Sequence, residues 1–143
     1  MKKKLIIATV ALVLSSVSFF GMKKSSPTTV SKNINVEIYK SASYVSNAYA
    51  DAYATLHVTV VKVNGNKRDT AWQHDFAPTQ LKNFPASDKP LVQQISIPNV
   101  NDKKEKLEIF YTLTYSSKGS ELNFSDGTVI GKGTQTGKLN IKI

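Results

Sequence analysis

The sequence predicts an all-β domain, a single β-sandwich of about seven or eight mostly antiparallel strands. Three observations carry this. From Ile34 onward, short runs of β-branched and aromatic residues alternate with turn residues. No stretch of helical length keeps an apolar period of 3.6. Several of the runs place apolar residues strictly at every second position, the signature of a pleat with one face in a core.

The N-terminus stands apart from that pattern. Lys2, Lys3 and Lys4 precede "LIIATVALVLSSVSFF", an uncharged and mostly apolar run from Leu5 to Phe20. A basic start followed by such a run has the form of an export signal. It is short for a membrane span, which wants about 20 residues. Residues 1–21 are therefore expected to be a signal peptide or an uncleaved N-terminal anchor. Residues 22–33, containing "KKSSPTTVSKN", read as a flexible polar leader. Residues 34–143 read as the β-sandwich domain.

The elements follow in order. Ile34, Val36 and Ile38 alternate with polar neighbours and define a first strand. A second runs through Leu56, Val58 and Val60, and a third from Asp69 to Ala77, stopped by Pro78. Residues 78–90 form a loop with three prolines, from which Leu81 and Phe84 tuck onto the core. A fourth strand covers Leu91 to Ile97 and ends before Pro98. The fifth, "LEIFYTLTY", sets Leu107, Ile109, Tyr111, Leu113 and Tyr115 on one face, with Phe110 as the exception on the other. Short strands at Leu122–Phe124, Thr128–Gly131 and Lys138–Ile143 complete the chain. A two-residue turn at Lys118-Gly119 pairs Leu122 with Tyr115 and Phe124 with Leu113, so turn chemistry and apolar pattern agree. Asp126-Gly127 is expected to be a second such turn. The succession of strands resembles an immunoglobulin-like or transthyretin-like sandwich in architecture alone.

The stretch "NAYADAYATLHVTVVKV", residues 47–63, decides which side chains face out. Ala48, Tyr49, Ala52 and Tyr53 are spaced as on a helix, and Ser46 or Asn47 could cap one. Period two nevertheless runs through the whole stretch, so one long strand is expected, with a helical turn over 47–53 as the alternative. Asn64-Gly65 marks a hairpin. A two-residue loop there pairs Val63 with Asn66 and sets His57 opposite Trp72. A three-residue loop, Asn64-Gly65-Asn66, pairs Val63 with Lys67 and puts Trp72 and Phe76 with Leu56, Val58 and Val60. The second alignment separates apolar from polar more cleanly and is the one expected. It leaves Thr55, His57 and Thr59 on the outer face with Asp69, Gln73 and Asp75, and His74 on the inner face. The inner alanines leave room for another backbone or a large aromatic to press close.

Composition excludes several chemistries. There is no cysteine, so disulfides, thiolate metal sites, thiol nucleophiles and a lipid-modified cysteine are all ruled out. The formal charge is +9, and loss of Lys2, Lys3 and Lys4 leaves 16 basic against 10 acidic residues. Apart from Arg68 the basic residues are scattered lysines, which reads as a solvated surface and gives no expectation of nucleic-acid binding. No metal site or cofactor is expected, because His57, His74, Asp51 and Asp75 do not converge in this alignment. No strained serine turn or glycine-rich phosphate loop is present.

The expected function is a non-catalytic exported binding or interaction module: periplasmic, cell-surface or extracellular. Its partner would be a protein or a glycan at the cell surface, and it would touch membrane only through residues 1–21 if these stay uncleaved. The candidate ligand-binding residues are Tyr49, Tyr53, His57 and Asp51, because tyrosine offers an apolar ring with a wet end. A first alternative is a carbohydrate-binding module using Tyr49 and Tyr53, about 13 Å apart on one strand face, as a platform. A second is a hydrolase-like enzyme in which Asp75 orients His57 and His57 activates the hydroxyl of Thr55 or Thr59. No catalytic residue is assigned outside that alternative. Asn123-Phe124-Ser125 also matches a glycosylation acceptor.

Overall fold

The computed structural model describes residues 28–42, 49 and 51–143. The export segment expected at 1–21 and most of the leader lie outside the described residues. Eight strands account for nearly the whole of the rest: β1 (Thr29–Tyr39), β2 (Tyr53–Asn64), β3 (Lys67–Asp75), β4 (Thr79–Gln80), β5 (Leu91–Asn101), β6 (Lys106–Ser117), β7 (Ser120–Ile130) and β8 (Thr136–Lys142). A short 3-10 turn, Leu81–Asn83, follows β4. β1 begins at Thr29, inside the stretch read as a leader.

The strands form two open sheets and no closed barrel. The smaller has the order β5-β1-β8, the larger β3-β2-β6-β7 with β4 alongside β2. All pairings are antiparallel except β1 with β8. One apolar cluster takes side chains from both sheets, an arrangement consistent with a β-sandwich. Ile34, Val36 and Ile38 from β1, Leu56, Val58 and Val60 from β2, Leu107, Ile109 and Leu113 from β6 and Leu139 and Ile141 from β8 are all buried there. These are the every-second-residue positions of the sequence, so binary pattern selects the core directly. Leu81 and Phe84 are buried in the same cluster. They lie over the small Ala52 and Ala54, and the Leu81 amide donates to the Ala52 carbonyl (3.0 Å). A backbone thus lies against the chain at Ala52, just before β2 begins.

Three local expectations are corrected. The β2–β3 turn is neither of the two alignments drawn from Asn64-Gly65. Its central residues are Gly65 and Asn66, with Asn64 paired to Lys67. Gly65 has φ 58°, at the position where a two-residue turn of this type demands glycine. Ala71 is then the extra residue of a β-bulge between Val60 and Val61, so Val60 pairs with Trp72 and His57 with Asp75. The bulge restores the parity that the shorter turn would have reversed. Trp72 therefore does lie on the side of Leu56, Val58 and Val60, opposite His57, whereas Asp69 moves to the side of Lys62.

Pro98 does not stop its strand. β5 runs through it to Asn101, and the register with β1 shifts between Val30 and Lys32. Asn99, with φ 56°, sits in that irregularity. A bulge is one of the few places a strand tolerates proline. Asp126-Gly127 is not a turn either, since β7 is continuous from Ser120 to Ile130. The Lys118-Gly119 turn does form, with Tyr115 on Leu122 and Leu113 on Phe124.

The smaller sheet holds one residue that sequence reasoning missed. Lys32 takes an inner position of β1 and is fully buried. Its Nζ donates to the Gly131 carbonyl (2.7 Å) and pairs with Asp102 Oδ1 (2.6 Å). The same carboxylate accepts from the Gly133 amide (3.0 Å). One ammonium therefore ties β1 to the β5–β6 and β7–β8 connections. The hydrogen bond from Lys32 holds the Asp102 carboxyl below its ordinary range. A buried charge is tolerable only when its donors are met in this way.

Candidate functional site

Two surfaces leave the fold with unspent chemistry, and both belong to the larger sheet. The first is its outward face. β2 presents Tyr53, Thr55, His57 and Thr59 there, because its odd-numbered residues from 53 to 59 alternate away from the core. His57 and Asp75 are direct cross-strand partners rather than diagonal neighbours. The His57 ring bonds Asp75 Oδ1 through Nδ1. Its Nε2 lies 2.8 Å from Thr59 Oγ1. The carboxylate, imidazole and hydroxyl postulated for the hydrolase reading are thus in contact.

That contact has the order of a nucleophile relay. β2 lies between β3 and β6. Its main-chain donors are spent on ladders in the plane of the sheet. The two contacts hold the His57 ring between Asp75 on β3 and Thr59 on its own strand. Among the described residues, no group of three or more His, Asp or Glu side chains is placed to hold a metal ion.

The other candidates separate. Tyr53 is on the outward face, and its hydroxyl accepts from Gln80 Nε2 (3.1 Å). Tyr49 is not on a strand. It lies in a bend whose carbonyl accepts from the Ala52 amide (3.1 Å), close to the turn considered for residues 47–53. Asp51 is exposed in the same turn. Tyr49 and Tyr53 therefore do not form one strand-borne platform. Tyr49 instead lines a cleft at the open end of the larger sheet.

That cleft is the second surface. It has a volume of about 440 Å³ and is walled by Tyr49, Ala52, Leu81, Tyr115, Leu122 and Ile143. Its polar rim is Ser116, Ser117, Ser120 and Glu121. The reason it stays open lies in strand count. The larger sheet has four full-length strands and the smaller three, so β7 overhangs. Leu122 and Phe124 occupy core-facing positions of β7, paired with Tyr115 and Leu113, yet they are 68% and 50% exposed. Phe124 also packs on Tyr111, with ring centroids 6.1 Å apart. Partial burial raises the phenol pKa of both Tyr111 and Tyr115. Comparison with protein-family models, with curated proteins and with solved structures finds no match.

The signal for the cleft was present in the sequence. Leu122 and Phe124 alternate as core residues should, and the turn that pairs them was correctly placed. Strand counts on the opposite side decide their exposure, and these are not written in β7. At the other edge, Trp72 and His74 on β3 and Phe76 just past its end form a stripe, the His74 ring standing edge-on to Phe76 at 4.7 Å. Trp72 and Phe76 are only partly buried against the core.

Proposed function

We propose that this chain is an exported, non-catalytic binding module built as an immunoglobulin-like or transthyretin-like β-sandwich. Its ligand enters the cleft between Tyr115 and the overhanging part of β7. The observation that carries this is the pair of large apolar side chains, Leu122 and Phe124, left open on the core-facing side of a strand, of which Leu122 lines a concave apolar cleft and Phe124 stands two residues further along the same face. Apolar patches of this kind mark interaction sites, and binding clefts commonly measure about 300–1,000 Å³ with a few polar groups at the edge. The ligand class that fits is an amphipathic molecule with an apolar body and a polar tip for the serine rim. Export is supported by the basic start and apolar run of residues 1–21.

The test uses the dye 1-anilinonaphthalene-8-sulfonate and its displacement by myristate. The folded protein should bind the dye saturably. Leu122→Ser combined with Phe124→Ser should weaken binding about tenfold or more with little change in melting temperature, and His57→Ala should leave it unchanged. Dye binding that the double substitution does not alter would sink the cleft reading. Turnover of a simple ester that disappears in His57→Ala would overturn the non-catalytic one.

A further inference from the structure

We propose that the outward face of the larger sheet is a second binding surface, one that takes a linear, neutral polysaccharide. The inference goes beyond the cleft and stands without it, because the two surfaces meet only at Ser116, on the cleft rim and beside Tyr53. The centre of the face is a lattice of hydroxyls and amides whose orientations are already fixed. Thr112 Oγ1 and Ser125 Oγ lie 3.0 Å apart across β6 and β7. One rung along, Thr114 Oγ1 donates to Asn123 Oδ1 (2.6 Å). On β2 the imidazole of His57 is clipped between Asp75 and Thr59. Each hydroxyl and amide keeps further hydrogen-bonding capacity after these internal bonds. Side chains held before binding lose little entropy on binding.

An aromatic ring stands at each end of the lattice. Tyr53 pairs with Ser116, and Phe110 pairs with Thr59. Six residues of strand separate the two, about 20 Å at 3.3 Å per residue. Phe110 is the one apolar residue on the polar face of β6, and the structure keeps it there deliberately placed. Its partner across the ladder is Gly127, where a Cβ would come 3.2 Å from Phe110 Cδ1. The Arg68 guanidinium lies 5.7 Å from the ring centroid and is itself held by Glu108. Glu108 also takes Lys106 (2.9 Å), and these two cations keep its carboxyl below the ordinary range, Lys106 most strongly.

Charge argues for a neutral ligand. Lys106 and Arg68 share Glu108, and Asp75 pairs with His57; with histidine formally neutral, these two cations and two carboxylates balance, so this group presents no net charge to draw a polyanion. Aromatic rings that stack on sugar faces, with hydroxyl and amide groups between them, fit a chain of neutral sugar rings laid along the strands.

Affinity electrophoresis of the full chain tests this, in native gels containing hydroxyethylcellulose, xylan or glycol chitin, with heparin as a polyanion control. Retardation by at least one neutral polymer, insensitive to salt, is expected. Tyr53→Ala and Phe110→Ala should each weaken it about tenfold, and Leu122→Ser with Phe124→Ser should not, which separates this surface from the cleft. Circular dichroism confirms that each variant is folded. The proposal is overturned by migration unchanged in all three neutral gels, by retardation in heparin alone that salt abolishes, or by folded Tyr53 and Phe110 variants that bind as the parent does.

Discussion

The two sides of the larger sheet are built from the same strands and obey different rules. Ile109 and Phe110 are adjacent in β6, yet Ile109 is fully buried and Phe110 stands in solvent among polar neighbours. Inward residues are chosen by volume, since they must fill a shared core at close to crystal density. Outward residues are chosen by hydrogen-bond geometry and charge matching. Phe110 is tolerated there because Gly127 and Arg68 accommodate its ring. The contrast teaches that exposure of an apolar residue has two origins in this protein. Phe110 is exposed because its register sends it outward. Leu122 and Phe124 are exposed although their register sends them inward, because the facing sheet ends too soon.

The comparison can be broken most sharply at Ile109. Truncation to Ala should cost about 2–5 kcal/mol through lost burial and a cavity, read as a lower denaturant midpoint, whereas Phe110→Ala should cost less than about 1 kcal/mol. Similar losses at both would mean that the outward face is as tightly packed as the core. Gly127→Ala comes next. The added methyl meets the Ile109 carbonyl, which should cost about 1–3 kcal/mol and displace Phe110. A neutral result would show that the two strands have slack at that rung.

Acid sensitivity separates the inner tether from the outer one. The Asp102 carboxyl is depressed by the hydrogen bond from buried Lys32. A group with a lowered folded-state pKa stabilises the fold above its unfolded value and loses that contribution as pH falls through the folded value. Thermal stability should therefore decline below about pH 4, and the gap between the parent protein and Asp102→Asn should close over the same range. A gap that persists at pH 2 would mean the pair is not what holds β1 to the two connections. The smallest effect is expected at His57→Ala, within about 0.5 kcal/mol, because the clip to Asp75 is solvent-exposed.

Much of this was legible from residues alone. The alternation through Ile34–Ile38, "TLHVTV" and "LEIFYTLTY" named the core, and the Lys118-Gly119 turn gave the pairing of β6 with β7. Trp72 was placed on its correct side, although by a turn that does not exist. Turn and bulge each shift the register by one residue, and only a structure shows that the two shifts cancel. Asp126-Gly127 misled because that dipeptide is a turn signal by composition, while here the glycine makes room for a ring across the ladder. The Tyr49–Tyr53 platform failed at the start of β2, where alanines alternate as well as they coil.

The sequence by itself determined that the described domain is nearly all β, that the chain is cysteine-free, and that particular residues point inward, because side-chain alternation is a local property of the pleat. Tertiary structure alone decided which inward residues are covered, that Lys32 finds its carboxylate and carbonyl, and that His57 meets both Asp75 and Thr59. Those outcomes depend on how many strands each sheet holds and where bulges fall. Both are settled by contacts between segments far apart in the chain.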